Sequence, residues 1–474
     1  MSPPHPISDA RTPEDRGLDE VVVEPAHKPR WILQVASIVM VLFLLPTLSL
    51  DLVRPLVLFD EQAHIDYTFS LSSGRVPIWD DTLSSRTLAL SSCIAQASAE
   101  ETCMSRVLSD QPTTDAFSYQ AQQAPLGYLH MALASRLLLK ADTFHFQQLL
   151  VMRMANILSF ALFALAWASV LSFFTSSRVV ASAISALLIA NPWVYGAFTY
   201  VTNDSAALTL GTALSGAYLW WIRRIDSQAH LRVISPGLLV FVGLGLLAGL
   251  VKFSALLPVV VIAIAYTGWA LSSKQTNRLA VALLPAVTMF ASFVLAYLAI
   301  GWWRDERSTI TGETVLAQLL QPAYKTIPEV AVSRLVDLDA LLLGWVVNPT
   351  YVTPGVIGVG VAACFLILWM LANRDAYFPS WTRFSPQALG LSAFGVTVLL
   401  IVAMPVAFFV QGPFEPSFVA RYAIPVIPLF GIAVVPLLNL KPWLKWVCLA
   451  VSVPVLAAWT SPASDILRNL PLAQ

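Results

Sequence analysis

The sequence predicts an all-α polytopic membrane protein with about eleven transmembrane helices and a long first extracytoplasmic loop carrying juxtamembrane helices. Three observations carry this. The 474-residue chain is 57% hydrophobic and only 12% charged, where a soluble domain carries about 25% charged residues. Apolar runs recur at about 20 residues, the length a helix needs to cross a bilayer. Lysines and arginines collect in alternate loops, as they do at the cytoplasmic ends of spans.

Taken in order, residues 1–30 are polar and contain Pro3, Pro4, Pro6, Pro13, Pro25 and Pro29, the composition of a disordered cytoplasmic tail. No basic segment leads directly into an early apolar core, so the first run, 31–50, reads as an uncleaved anchor. The remaining spans fall near 154–174, 179–196, 204–222, 236–251, 253–272, 279–300, 352–372, 388–410, 423–440 and 443–460. Together 31–460 form the transmembrane domain, and 461–474 a C-terminal extracytoplasmic tail. His27, Lys28 and Arg30 set the N-terminus in the cytoplasm. The loops that then fall inside hold Arg178, Arg223, Arg224, Arg232, Lys274, Arg278, Arg374, Arg383, Lys441 and Lys445.

Residues 125–140 are apolar but short, and they carry His130, Arg136 and Lys140. Counting them as a span would turn every later basic loop outward. They read instead as an amphipathic helix lying in the outer interface. Residues 51–153 then form one extracytoplasmic loop, and 301–351 a second, opening on Trp302-Trp303-Arg304-Asp305-Glu306-Arg307. Paired tryptophans at a span end suit an interfacial belt.

Net charge is zero, with 28 basic and 28 acidic residues and no basic stripe, which argues against a nucleic-acid partner. Of four cysteines, Cys364 and Cys448 lie in apolar runs, while Cys93 and Cys103 share the first loop. In an oxidising exterior such a pair tends to form a disulfide, with two unrelated thiols as the alternative.

The polar residues that carry chemistry sit at the outer ends of spans. Asp60, Glu61, His64 and Asp66 follow the first span, and a helix there would put Asp60 and His64 on one face. Solvated acids in a first helical turn are the ordinary alternative. Asn203 and Asp204 open a span, where capping explains them equally well. Lys252 interrupts two apolar runs, and a snorkelling anchor has the same pattern. Arg153 and the Arg421-Tyr422 pair open two further spans. Read singly, each is an anchor or a cap; read together, they put acids and cations on one face.

The combination resembles the GT-C superfamily of integral-membrane glycosyltransferases. The resemblance rests on Asp60-Glu61-x-x-His64-x-x-Tyr67, then Gly74-Arg75-Val76-Pro77. It continues through Gln123-Ala124-Pro125-Leu126-Gly127-Tyr128, with Ala124 where the box has its first proline. Asn203-Asp204, the turn Gly249-Leu250-Val251-Lys252-Phe253-Ser254 and the late box Arg421-Tyr422-Ala423-Ile424-Pro425 complete it. Order and spacing carry the likeness, and it points to a bacterial branch of the cytoplasmic membrane.

That resemblance implies a polyprenyl-phosphate sugar as donor and a glycan, lipid or protein as acceptor in cell-envelope biogenesis. Asp60, or else Glu61, would be the general base of an inverting displacement. Lys252, Arg421 and Arg153 would hold the leaving phosphate. His64, Tyr67, Asn203, Asp204 and Tyr422 would line the substrate site. Asp60, Glu61 and Asp204 supply oxygens suited to Mg²⁺ or Mn²⁺, and metal dependence stays open. Two other classes also stay open: a transporter or flippase of lipid-linked glycans, and a non-catalytic member of an envelope assembly.

Overall fold

The computed structural model describes residues 29–50, 61–79, 81–95, 123–139, 145–227, 237–274, 276–309, 389, 392–393, 423–440, 443–450 and 452. The expected span 352–372, all but residues 389 and 392–393 of the expected span 388–410, most of the 301–351 loop, and both tails lie outside these residues.

Twelve helices, and a further helical stretch at 443–450, organise the described residues. They are α1 (Pro29–Leu50), α2 (Glu61–Ser72), α3 (Ser85–Ala95), α4 (Leu126–Leu138), α5 (His145–Leu171) and α6 (Arg178–Ala190). They continue with α7 (Pro192–Thr199), α8 (Asp204–Ser227), α9 (Gly237–Val251), α10 (Leu257–Ser272), α11 (Leu279–Asp305) and α12 (Ile427–Leu440). Single 3₁₀ turns, Phe253–Leu256 and Ile424–Val426, lead into α10 and α12. Among the described residues three helices are long and apolar enough to cross a bilayer, or four if the bent pair α6 and α7 is one span.

Helix direction can be read from which residues meet. Trp31 Nε1 donates to the Ser176 carbonyl at 3.0 Å, and further along Phe43 stacks on Phe160, so α1 runs against α5. Asn156 meets Ser205 while Val170 faces Gly216, so α5 and α8 run together. Tyr218 and Trp221, late in α8, donate to the carbonyls of Ala282 and Val281 at the start of α11, so those two run opposed.

Helices α9 and α11 run together at close range. A Cβ at Gly245 would overlap the Met289 carbonyl and the Ser292 hydroxyl; one at Gly249 would come within 2.7 Å of the Ala296 Cβ. Small residues let helix backbones approach this closely inside a membrane. Among the described residues the helix directions alternate as the loop charges predict. Arg178, Arg223, Arg224, Lys274 and Arg278 gather at one end of the bundle. Glu61, Arg153, Asn203, Asp204 and Lys252 gather at the other.

The core has two parts. The bundle core packs Phe43, Phe160, Phe163 and Phe198 among aliphatic side chains. A smaller core of Ile65, Tyr67, Phe69, Leu90, Cys93, Tyr128, Met131, Leu149 and Met152 joins α2, α3 and α4 to the start of α5. This second core is a layer covering the acidic end. Asp66 helps to build it, accepting from Ser84 N at 3.0 Å, Ser84 Oγ at 2.5 Å and Thr87 Oγ1 at 2.8 Å, and so anchoring the start of α3.

The structure departs from the expected spans in two places. The run 179–196 is not straight: it bends by 74° between α6 and α7. Asn191 makes the break, its Oδ1 accepting from Trp193 N and Val194 N ahead of a proline that supplies no N–H. Helix α5 begins nine residues earlier than the apolar run, at His145, which puts Arg153 inside a helix rather than at its mouth. Residues 126–138 form a 13-residue helix, about 20 Å long. Gly127, Tyr128, Met131 and Ala132 are buried on one side, and Leu129, Leu133, Leu137 and Leu138 are exposed on the other.

Candidate active site

Helix α2 begins at Glu61, and the carboxylate is fully buried. Its Oε1 accepts from Arg153 Nε at 3.2 Å and from Val201 N at 2.9 Å, and its Oε2 accepts from Arg153 Nη2 at 2.9 Å. A forked arginine–carboxylate contact of this kind is both directional and strong. It ties α2 to α5 and to the chain entering α8.

One turn on, His64 Nδ1 meets the Tyr128 hydroxyl at 2.6 Å. Tyr128 in turn stacks on Tyr67, with ring centroids 4.4 Å apart. Tyr67 donates to the Gln123 carbonyl at 2.8 Å and accepts from Arg304 Nη2 at 3.1 Å. Burial pushes the Tyr67 phenol up to about 12, against the pull of the Arg304 charge, so it is neutral at ordinary pH.

Gln123 joins this acidic-loop side to the remaining boxes. Its Oε1 accepts from Asn203 Nδ2 at 3.1 Å, and Asn203 Oδ1 accepts from Lys252 Nζ at 3.3 Å. Lys252 Nζ also donates to Asp204 Oδ1 at 2.5 Å, and Asp204 Oδ2 accepts from Thr202 Oγ1. Lys252 holds an extended backbone at the break between α9 and the Phe253 turn, and is 6% exposed. Gly127 makes the junction tight, since a Cβ there would lie 2.9 Å from the Asn203 Cβ.

The structure thus brings together Glu61, His64, Tyr67, Arg153, Asn203, Asp204 and Lys252. Asp60, Arg421, Tyr422 and Cys103 lie outside the described residues. Cys93 is buried in α3. Ala423–Val426, which follow Tyr422, pack on α8 beside the 253–256 turn, where Pro425 and Ala255 both crowd Gly211.

Three residues of this hydrogen-bond network escaped the sequence reading. Gln123 was visible only as part of a box. Asn156 looked like an ordinary residue of a span, yet it bonds the Ala197 and Tyr200 carbonyls and meets His130 and Ser205. Arg304 was grouped with an interfacial tryptophan belt, but it is 1% exposed.

A divalent metal fits this donor set poorly. The Glu61 oxygens already serve Arg153 and Val201, those of Asp204 serve Lys252 and Thr202, and two buried cations stand among them. Among the described residues no three His, Cys, Asp or Glu side chains form a cluster able to hold a metal.

The fold is shared with a solved membrane protein. The chain is similar to the crystal structure of ArnT from Cupriavidus metallidurans bound to undecaprenyl phosphate, with a TM-score of 0.50 and 15% sequence identity. The likeness covers 94% of this chain and 66% of that one, so the chain spans 66% of the ArnT length. No family model matches the sequence, and no curated protein matches it.

Proposed function

We propose that the chain is a membrane glycosyltransferase. It moves a sugar from a polyprenyl-phosphate donor to a glycan, lipid or protein acceptor of the envelope, on the extracytoplasmic face of the bacterial cytoplasmic membrane. The observation that carries this is the junction of Gln123, Asn203, Asp204 and Lys252 at one end of a GT-C fold. The undecaprenyl phosphate bound by ArnT supports a lipid phosphate as the donor's carrier. The gathering of polar residues at one end, rather than along the middle of the spans, favours a reaction site over a transport path.

In the proposed reaction an acceptor hydroxyl attacks the anomeric carbon from the face opposite the phosphate. The new glycosidic bond forms as the bond from carbon to phosphate oxygen breaks, and the configuration inverts. The hydroxyl proton passes to a carboxylate, and polyprenyl phosphate leaves as an anion that needs positive partners rather than a proton. Glu61 is fully engaged with Arg153 and Val201, which favours it as an organiser of the site and Asp60 beside it as the base. Lys252 is the donor nearest the helix breaks. The packing of Ala423–Val426 beside that turn supports Arg421 as its companion. His64 and Tyr67, held by Tyr128 and Gln123, would orient the acceptor.

The test uses the full-length protein in vesicles with radiolabelled polyprenyl-phosphate sugars. Asp60→Asn is expected to lower transfer by about 10²- to 10⁴-fold, the usual contribution of a general base, with insertion and folding unchanged. Full activity in that variant would remove Asp60 from the mechanism. Movement of the lipid-linked sugar across the vesicle membrane without transfer would favour a flippase instead.

A further inference from the structure

Two arginines rank among the largest fully buried side chains, Arg153 and Arg304. Arg153 is neutralised by Glu61, as Lys252 is by Asp204. Arg304 differs: among the described residues no carboxylate forms an ion pair with it. Its partners are the neutral Tyr67 hydroxyl, the Gln123 carbonyl and the Trp79 ring, whose centroid lies 5.3 Å from the guanidinium carbon. Its Nε is buried, with no hydrogen-bond partner among the described residues.

Burying a cation without a counter-charge costs several kcal/mol, and an unmatched N–H adds to that cost. The surroundings are built to keep it there nonetheless. Trp79 covers the guanidinium and is itself strapped down, Nε1 to Asp305 Oδ1 at 2.8 Å and its backbone N to Ser308 Oγ at 2.9 Å. Gln123, which accepts from Arg304 through its carbonyl, also joins Asn203 and hence Lys252. Arg304 therefore stands at the far end of the same chain of hydrogen bonds, with Gln123 and Asn203 between it and Lys252.

We propose that Arg304 is the principal anion-binding residue of the site, taking a phosphate oxygen of a phosphorylated ligand at its vacant Nε–H. This rests on the glycosyltransferase reading for the identity of the ligand, a lipid phosphate, but not for the presence of an anion site. Lys252 and Arg153 enter as halves of ion pairs and contribute oriented donors. Arg304 contributes the net positive charge that a phosphate must meet.

The experiment measures binding of polyprenyl phosphate, the matching polyprenol and inorganic phosphate to purified full-length protein in detergent. The wild type is expected to bind polyprenyl phosphate and to discriminate against polyprenol. Arg304→Gln is expected to bind polyprenyl phosphate about 10- to 100-fold more weakly, the loss of one charge-assisted contact. Arg304→Lys keeps the charge without the fork and should fall between them. Competition by inorganic phosphate that depends on Arg304 would identify a free phosphate as a sufficient ligand.

Unchanged binding in Arg304→Gln overturns this proposal, and if Asp60→Asn is still inactive the glycosyltransferase reading stands. Binding of phosphate that needs Arg304, in a protein that transfers no sugar from any donor, supports the anion site and overturns the reaction. Should both variants fail to fold, a photoreactive group placed on the lipid phosphate decides on the native protein. Crosslinks to Trp79, Tyr67 or Arg304 support the assignment, and crosslinks confined to the 252–256 turn overturn it.

Discussion

Glu61 and Arg153 lie 92 residues apart in sequence and meet through two hydrogen bonds in a site that excludes solvent from both. Removing one partner leaves the other charge buried and unmatched. Glu61→Ala is therefore expected to destabilise the protein by about 3–5 kcal/mol, seen as a lower unfolding temperature in detergent. Replacing both residues by methionine should recover most of that loss. If Glu61→Gln instead folded normally and lost all transfer, Glu61 rather than Asp60 would be the proton acceptor.

Asp204 and Lys252 offer a different contrast, because both sit at breaks between helices. Asp204→Asn leaves the ammonium in place, whereas Lys252→Met removes the donor. We expect Lys252→Met to lower the transfer rate by about 10²-fold, the cost of one preorganised donor at a developing anion. Equal turnover in wild type and variant would take Lys252 out of the leaving-group site.

Gly127 tests the junction through space rather than charge. Gly127→Ala puts a methyl group 2.9 Å from the Asn203 Cβ, so α4 must shift away from α8. Transfer should fall while membrane insertion and the unfolding temperature change little. An alanine variant with native kinetics would mean that the Gln123–Asn203 bond is not needed.

The amphipathic helix carries a pH dependence. Burial holds the His130 imidazole below its usual 6.5, with the Asn156 bond opposing the shift. The unfolded chain then takes up a proton before the folded one does. Stability is complete above pH 6.5 and declines as pH drops below it, towards the depressed value of the folded state. The unfolding temperature of His130→Gln should lack that decline.

Cys93 and Cys103 are expected to be joined in the exported protein. Peptide mapping without reductant would find the linked pair, and reduction should cost about 2–4 kcal/mol of stability. Two alkylatable thiols in the native protein would exclude the bridge.

Much of this was legible in the sequence, for identifiable reasons. Loop charge predicts helix direction because it reflects how each span enters the membrane, and the pairings of Trp31 with Ser176 and of Trp221 with Val281 agree with it. The boxes at Asn203 and Lys252 stood out because polar residues interrupt apolar runs there. What stayed hidden is what depends on contact. Nothing in the order of residues says that Arg153 is matched and Arg304 is not. The bend at Asn191 needed the capping geometry, since the apolar run continues through it. Asn156 joins four groups, on His130, Ala197, Tyr200 and Ser205, a role without a local pattern.

The glycine contact between α9 and α11 has a bearing on the charges at its outer end. Lys252 directly follows α9, and Arg304 lies in the last turn of α11. Because Gly245 and Gly249 leave no slack between the two backbones, the seam works as a gauge that sets how far apart the two cations stand. A larger residue at either glycine would alter no polar group, yet it would detune the spacing to which a bound phosphate must fit.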